Sequence, residues 1–180
     1  AGSAVKYNHA VNSAASNFFS PLGLPKKCLG KLFSGGRCLI CRCVLQRDMQ
    51  AAHVYRNGKG DRKPPVEEVP DRFEKDELVY LCSACHFAYD GAKGGNIRYE
   101  DGTEFGVEDL ASRFRRVKEA IGSALVAEYL ERREADGMPT SSGAFVQICA
   151  EVLDAHHAEI VGVFDGLEAL VPIRAGCSDG

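Results

Sequence analysis

Apolar side chains recur at Val107, Leu110, Phe114, Val117, Ile121 and Leu125, the three-and-four spacing of one buried helical face. The spacing predicts a long helix over Val107–Arg133, ended by Asp136-Gly137 and by the stretch Pro139–Gly143. A second helix should begin near Ser142 and bury Phe145, Ile148, Cys149, Val152 and Leu153; beyond His157, Glu159–Phe164 fits either its continuation or a strand. Upstream the pattern changes. Gln50–Arg56 and Glu77–Leu81 read as short strands, and Ser83–Tyr89 as a helix with Ser83 as cap and Gly91 as stop. Between the strands, Asn57-Gly58 signals a reverse turn and Asp61–Asp76, with three prolines, a surface loop. Gly94–Phe105 reads as a turn or hairpin around Asp101-Gly102. Lys26–Phe33 reads as a short basic helical turn stopped by Gly35-Gly36, and Ala1–Pro25 as an arm. The order strand, turn, loop, strand, helix followed by helices predicts an α+β fold.

Composition narrows this. The chain has 180 residues, 45% hydrophobic and 26% charged, which suits a globular domain rather than a disordered one. Its longest apolar stretches, Ile160–Phe164 and Leu167–Ile173, fall well short of the roughly 20 residues that span a bilayer. Residues 1–12 carry no secretory signal, so no membrane partner is expected. The net charge of −3 hides an asymmetry: residues 1–99 hold 15 basic and 9 acidic side chains, residues 100–180 hold 7 and 16. Residues 20–63 are sharper still, with 10 basic against 2 acidic. Lys26, Lys27, Lys31, Arg37, Arg42, Arg56, Lys59, Arg62 and Lys63 form a candidate phosphate-binding face, a solvated surface being the bland alternative. Arg113, Arg115, Arg116 and Lys118 are expected on an ordinary solvated helix face.

Cysteine usage supplies the chemistry. Eight cysteines stand at 28, 38, 41, 43, 82, 85, 149 and 177, including two Cys-x-x-Cys pairs. A disulfide-stapled secreted domain is the rival explanation, but a chain this long builds its own core and the cysteines cluster. Cys38, Cys41, Cys82 and Cys85 can offer four thiolates to one structural Zn²⁺ in an intracellular, reducing compartment. Cys43 stands too close to Cys41 for the usual knuckle and is left out. Cys28, Cys149 and Cys177 read as buried thiols or bystanders. His86 and Asp90 are four apart on the expected helix and so share a face.

The run GRCLICRC…QAAHVYRNGKG…ELVYLCSACHFAYDG, over roughly residues 36–91, resembles the HNH endonucleases, whose ββα-metal core is often braced by a four-cysteine zinc. The resemblance implies a zinc-braced ββα core at 36–105, between an N-terminal arm with the basic segment at 1–35 and an acidic helical extension at 106–180. It makes His53 the general base and His86 the ligand of a catalytic Mg²⁺ or Mn²⁺, with Asp90 a further ligand or phosphate contact. Two positions depart from the family: Ala52 stands where a metal-ligating Asp or His precedes the base, and Glu77 replaces the middle Asn. Asp48 is a possible substitute ligand. The resulting expectation is a metal-dependent endonuclease or nickase on double-stranded DNA, since imidazole titrates near neutrality and a cation stabilises the pentavalent phosphate. A catalytically inactive HNH-like module that binds nucleic acid or serves a larger assembly is the second reading. A thiol-redox protein is the third. The acidic half suits self-association or docking on a protein partner.

Overall fold

The computed structural model describes residues 26–55, 78–91, 97–135 and 142–171. The arm, the Asn57-Gly58 turn and the Asp61–Asp76 loop lie outside the described residues, as do Arg56, Lys59, Arg62, Lys63 and Glu77.

Helix α1 (Lys26–Phe33) buries Cys28, Leu29, Leu32 and Phe33 along one side. It stops where Gly35 and Gly36 turn left-handed, at φ of +69° and +76°, and their N–H groups take the last carbonyls, Leu32 O at 3.1 Å and Lys31 O at 2.7 Å. Only glycine adopts that backbone without a Cβ penalty.

Strands β1 (Gln50–His53) and β2 (Leu78–Leu81) pair antiparallel, with Gln50 opposite Leu81 and His53 opposite Leu78. The first strand ends three residues earlier than expected, and the second is described from Leu78 on. Every residue of β2 is buried, so its sequence LVYL shows no alternation. Helix α2 (Ser83–Gly91) follows at once. Ser83 is its first residue rather than its cap, and the hydroxyl donates to Asp48 Oδ2 at 3.1 Å. Arg98 and Glu104 then pair across a tight turn in which Gly102 takes φ +88°, the hairpin expected around Asp101-Gly102.

The long helix expected at Val107–Arg133 forms as three consecutive segments: α3 (Val107–Val117), a π segment (Lys118–Gly122) and α4 (Ser123–Ala135). Its start is held by the Gly106 N–H, which donates to the Asp109 carboxylate at 2.8 Å. The π turn lies where the rod crosses the end of α1: a β-carbon on Gly122 would sit 2.2 Å from the Phe33 carbonyl oxygen. Helices α5 (Ser142–Ala155) and α6 (His157–Asp165) complete the chain of elements. The open choice at Glu159–Phe164 resolves as helix, with Ile160 and Phe164 buried against Gly35.

The architecture is α+β: a two-stranded sheet among helices. One apolar cluster takes in Leu29 and Leu32, Cys38, Leu39 and Val79, and Phe114, Tyr129 and Val152. The described parts of segments 1–35, 36–105 and 106–180 therefore share a core, with α1 packed on α4 and α5 and touching β2. Among the described residues no helix is long and apolar enough to cross a membrane.

Candidate metal centre

The first cysteine pair sits in a hairpin built by backbone. Leu45 N–H donates to Gly36 O at 2.9 Å, Arg37 bridges Val44, and Cys38 N–H donates to Cys43 O at 2.8 Å. Arg42 N–H returns to Cys38 O at 2.9 Å, and Arg42 itself takes φ +68° to reverse the chain. The second pair straddles the start of α2, where Cys85 N–H donates to Cys82 Sγ at 3.4 Å.

These two knuckles bring the sulfurs of Cys38, Cys41, Cys82 and Cys85 within 4.8 Å of one another, close enough to hold a metal ion. Two thiolates on one tetrahedral ion with bonds of about 2.3 Å lie about 3.8 Å apart. Cys41 and Cys82, at 3.6 Å, nearly match that edge. The donor set is soft, anionic and mostly buried, which fits a closed tetrahedral ion. The thiols hydrogen-bond one another and share their protons unequally. Bonds from Cys38, Cys41 and Cys43 hold Cys82 far below its ordinary range. Burial raises Cys38, but the thiols of Cys41 and Cys43 outweigh it and lower that group as well. Cys41 and Cys85 are pushed up, chiefly by Cys38. A cation at the centre favours all four thiolates and releases the remaining protons. Among the described residues every cysteine is free of disulfides.

One turn of α2 carries the chemistry beyond the cysteines. His86 Nε2 lies 2.6 Å from Asp90 Oδ2, so the shared helix face expected from their spacing is real. The other ring nitrogen, Nδ1, meets Gln50 Oε1 from β1. Gln50 was no candidate in the sequence; only strand pairing and helix packing bring it there. Strand alternation puts Ala52 on Gln50's face and His53 on the opposite one. Ala52 is fully buried and His53 partly exposed. His53 and His86 thus sit on adjoining elements, with His53 on the β1 face away from the Gln50–His86 contact. Among the described residues the four cysteines are the only group of three or more metal-ligating side chains close enough to share an ion. His86 and Asp90 supply two such groups.

The basic residues divide. Lys27 reaches the Arg47 carbonyl at 3.4 Å, and Lys31 is partly exposed. Arg37 is turned onto the Arg42 carbonyl at 3.1 Å. Arg42 donates to Leu167 O at 2.6 Å, so its guanidinium serves the fold. Arg113 and Lys118 depart from the expected solvated face, each only 6% exposed. Arg113 donates to Leu39 O at 3.1 Å and Glu168 O at 2.7 Å, while Arg116 donates to Gly166 O at 2.7 Å. Three arginines therefore cap the carbonyls beyond the C-terminus of α6, where cations are favoured. Through Leu39, Arg113 also fastens the acidic half to the cysteine knuckle. Burial lowers its own ionisation, yet guanidinium stays charged.

Cys28 and Cys149 are buried and hydrogen-bond each other, away from the centre. Cys177 lies outside the described residues. No protein-family model, curated protein or solved structure matches this chain.

Proposed function

We propose that this protein is a zinc-braced, metal-dependent endonuclease acting on DNA phosphodiester bonds. The observation that carries the reading is the His86–Asp90 pair at 2.6 Å on the helix that Cys85 anchors to the cysteine cluster. Four thiolates close the zinc site and leave it no open position, so its role is to hold β2, α2 and the hairpin in register. Chemistry then falls to the side chains beside it. His86 and Asp90 would hold a divalent ion, Mg²⁺ or Mn²⁺, which would supply positive charge to the phosphate and leaving oxygen. His53, partly exposed on the β1 face opposite Gln50, is the base that takes the proton from the attacking water. Gln50 orients the His86 ring through Nδ1, the service a hydrogen-bond partner gives to a ligating imidazole. Lys27 and Lys31, with the basic residues of 56–63, grip the duplex backbone. Glu77, where the resemblance places the residue that orients the base, lies outside the described residues.

A second reading has a specific observation behind it. Ala52 is fully buried on the β1 face that meets α2, where the resemblance expects a metal ligand. A non-catalytic zinc module that binds nucleic acid or docks a partner through the acidic half accounts for that substitution.

Supercoiled plasmid incubated with the protein and Mg²⁺ or Mn²⁺ separates the two. Nicking abolished by His53→Ala and by His86→Ala supports the nuclease. Binding without nicking under any metal, with affinity falling steeply as salt rises, supports the module. Nicking untouched by His53→Ala removes the mechanism stated.

A further inference from the structure

Cys43 belongs to neither Cys-x-x-Cys pair. Its side chain is buried at 4% exposure, yet its neighbours are sulfur. The thiol lies 3.1 Å from Cys41 Sγ. Backbone geometry enforces the approach. The Cys38 N–H to Cys43 O bond sets those residues face to face across the hairpin, and the left-handed Arg42 between Cys41 and Cys43 turns the chain back. A spacing too short for a knuckle in ordinary backbone thereby brings a fifth sulfur against Cys41, outside the four that all lie within 4.8 Å of one another, so that it reaches the ion only by taking the place of Cys41. The separation of 3.1 Å is shorter than the roughly 3.8 Å edge between two thiolates on one zinc. Cys41 and Cys43 consequently compete for a single corner of the tetrahedron.

We propose that Cys43 is an exchangeable ligand of the metal centre, alternating with Cys41 while Cys38, Cys82 and Cys85 stay fixed. As the Cys43 sulfur takes the corner, its thiol proton passes to the released Cys41 sulfur. One metal–sulfur bond forms, one breaks, and no electron changes hands. The closed four-thiolate shell survives the loss of either residue. The inference rests on the zinc reading of the cluster and is independent of nuclease activity.

The test uses the full chain and reads metal, not cleavage. Zinc content and chelator competition are measured for wild type, Cys41→Ser, Cys43→Ser, the double variant and Cys38→Ser. Cobalt-substituted samples report the number of thiolates through their charge-transfer band. Each single variant at 41 or 43 should keep one ion, four thiolates and an affinity within about 10-fold of wild type. The double variant should show three thiolates at most and weaken by about 100-fold or more, like Cys38→Ser. Loss of the fourth thiolate in Cys41→Ser alone overturns the proposal, as does a double variant no weaker than Cys41→Ser. Should the variants fail to fold, alkylation of zinc-loaded wild type decides. Cys41 and Cys43 should both label, at intermediate rates, while Cys38, Cys82 and Cys85 stay protected. Labelling of Cys43 with Cys41 fully protected overturns it. Wild-type protein that binds no zinc removes this inference and the zinc reading together, whereas zinc binding without plasmid nicking removes only the nuclease.

Discussion

Two glycines in helices of this protein should respond oppositely to the same added methyl group. Gly122 ends the π segment, and a β-carbon there would lie 2.2 Å from Phe33 O, 2.8 Å from Phe33 C and 3.0 Å from Phe33 Cα. Those atoms are backbone at the C-terminus of α1 and cannot rotate away. Ordinary contact between carbon and oxygen needs roughly 1 Å more, so α1 or the α3–α4 rod must shift, and overpacking of this kind costs about 1–3 kcal/mol or more. Alanine gains about 1 kcal/mol over glycine in helix propensity, which offsets part of that cost. With the clash against rigid backbone taken at the upper end, about 3 kcal/mol, Gly122→Ala should lose about 2 kcal/mol net. Gly162, inside α6, has nothing within 4 Å of the same added carbon. Gly162→Ala should keep the propensity gain, up to about 1 kcal/mol. Urea unfolding of metal-loaded wild type and both variants gives the comparison directly, read as midpoints at equal slope. For a chain of 180 residues, each kcal/mol also moves Tm by about 2–4 °C. Equal midpoints for the two variants, or a Gly122→Ala midpoint at or above wild type, would refute the close approach of α1 to the π turn.

Arg113→Met should lower stability by about 2–4 kcal/mol, because it deletes two charge-assisted bonds to the Leu39 and Glu168 carbonyls; a loss under about 0.5 kcal/mol in urea unfolding contradicts the clamp. Removing metal with a strong chelator should loosen β2, α2 and the hairpin, since four thiolates join them. Hydrogen exchange should rise there first, and unchanged protection after chelation speaks against a structural ion. His156 supplies a pH test. Burial is the largest single influence and lowers it, but the Glu128 and Glu159 carboxylates together outweigh it and raise it above its ordinary value. A raised folded-state value means that the contribution is complete below about pH 6.5 and is lost as pH climbs through the folded value. The urea midpoint of wild type should thus fall from pH 6 to pH 8 by more than that of His156→Gln, and parallel curves exclude the pairing.

The acidic half illustrates how much a helical pattern conveys. Val107, Leu110, Phe114, Val117, Ile121 and Leu125 define a buried face because helix periodicity is local, and of these only Val107 is not fully buried. The Cys-x-x-Cys pairs are equally local: each spacing makes a knuckle, and two knuckles imply one tetrahedron. The strands, α2 and the His86–Asp90 face follow from the same short-range rules. Arg113 shows where such rules stop. On a helical wheel it is a charged residue free to reach water, and only the arrival of Leu39 and Glu168 carbonyls from remote segments makes it a buried clamp. Gly122 carries no sign in the sequence that another chain segment needs its missing side chain. Gln50 meets His86 solely because β1 pairs with β2 and α2 folds back across them. Spacing excludes Cys43 only for ordinary backbone, and the left-handed turn at Arg42 is not ordinary backbone. Periodicity and spacing, which depend on neighbours within a few residues, determined the elements and the four-sulfur set. The partners of Arg113, Gly122, Gln50 and Cys43 were decided by contacts between segments far apart in the chain, which no local pattern encodes.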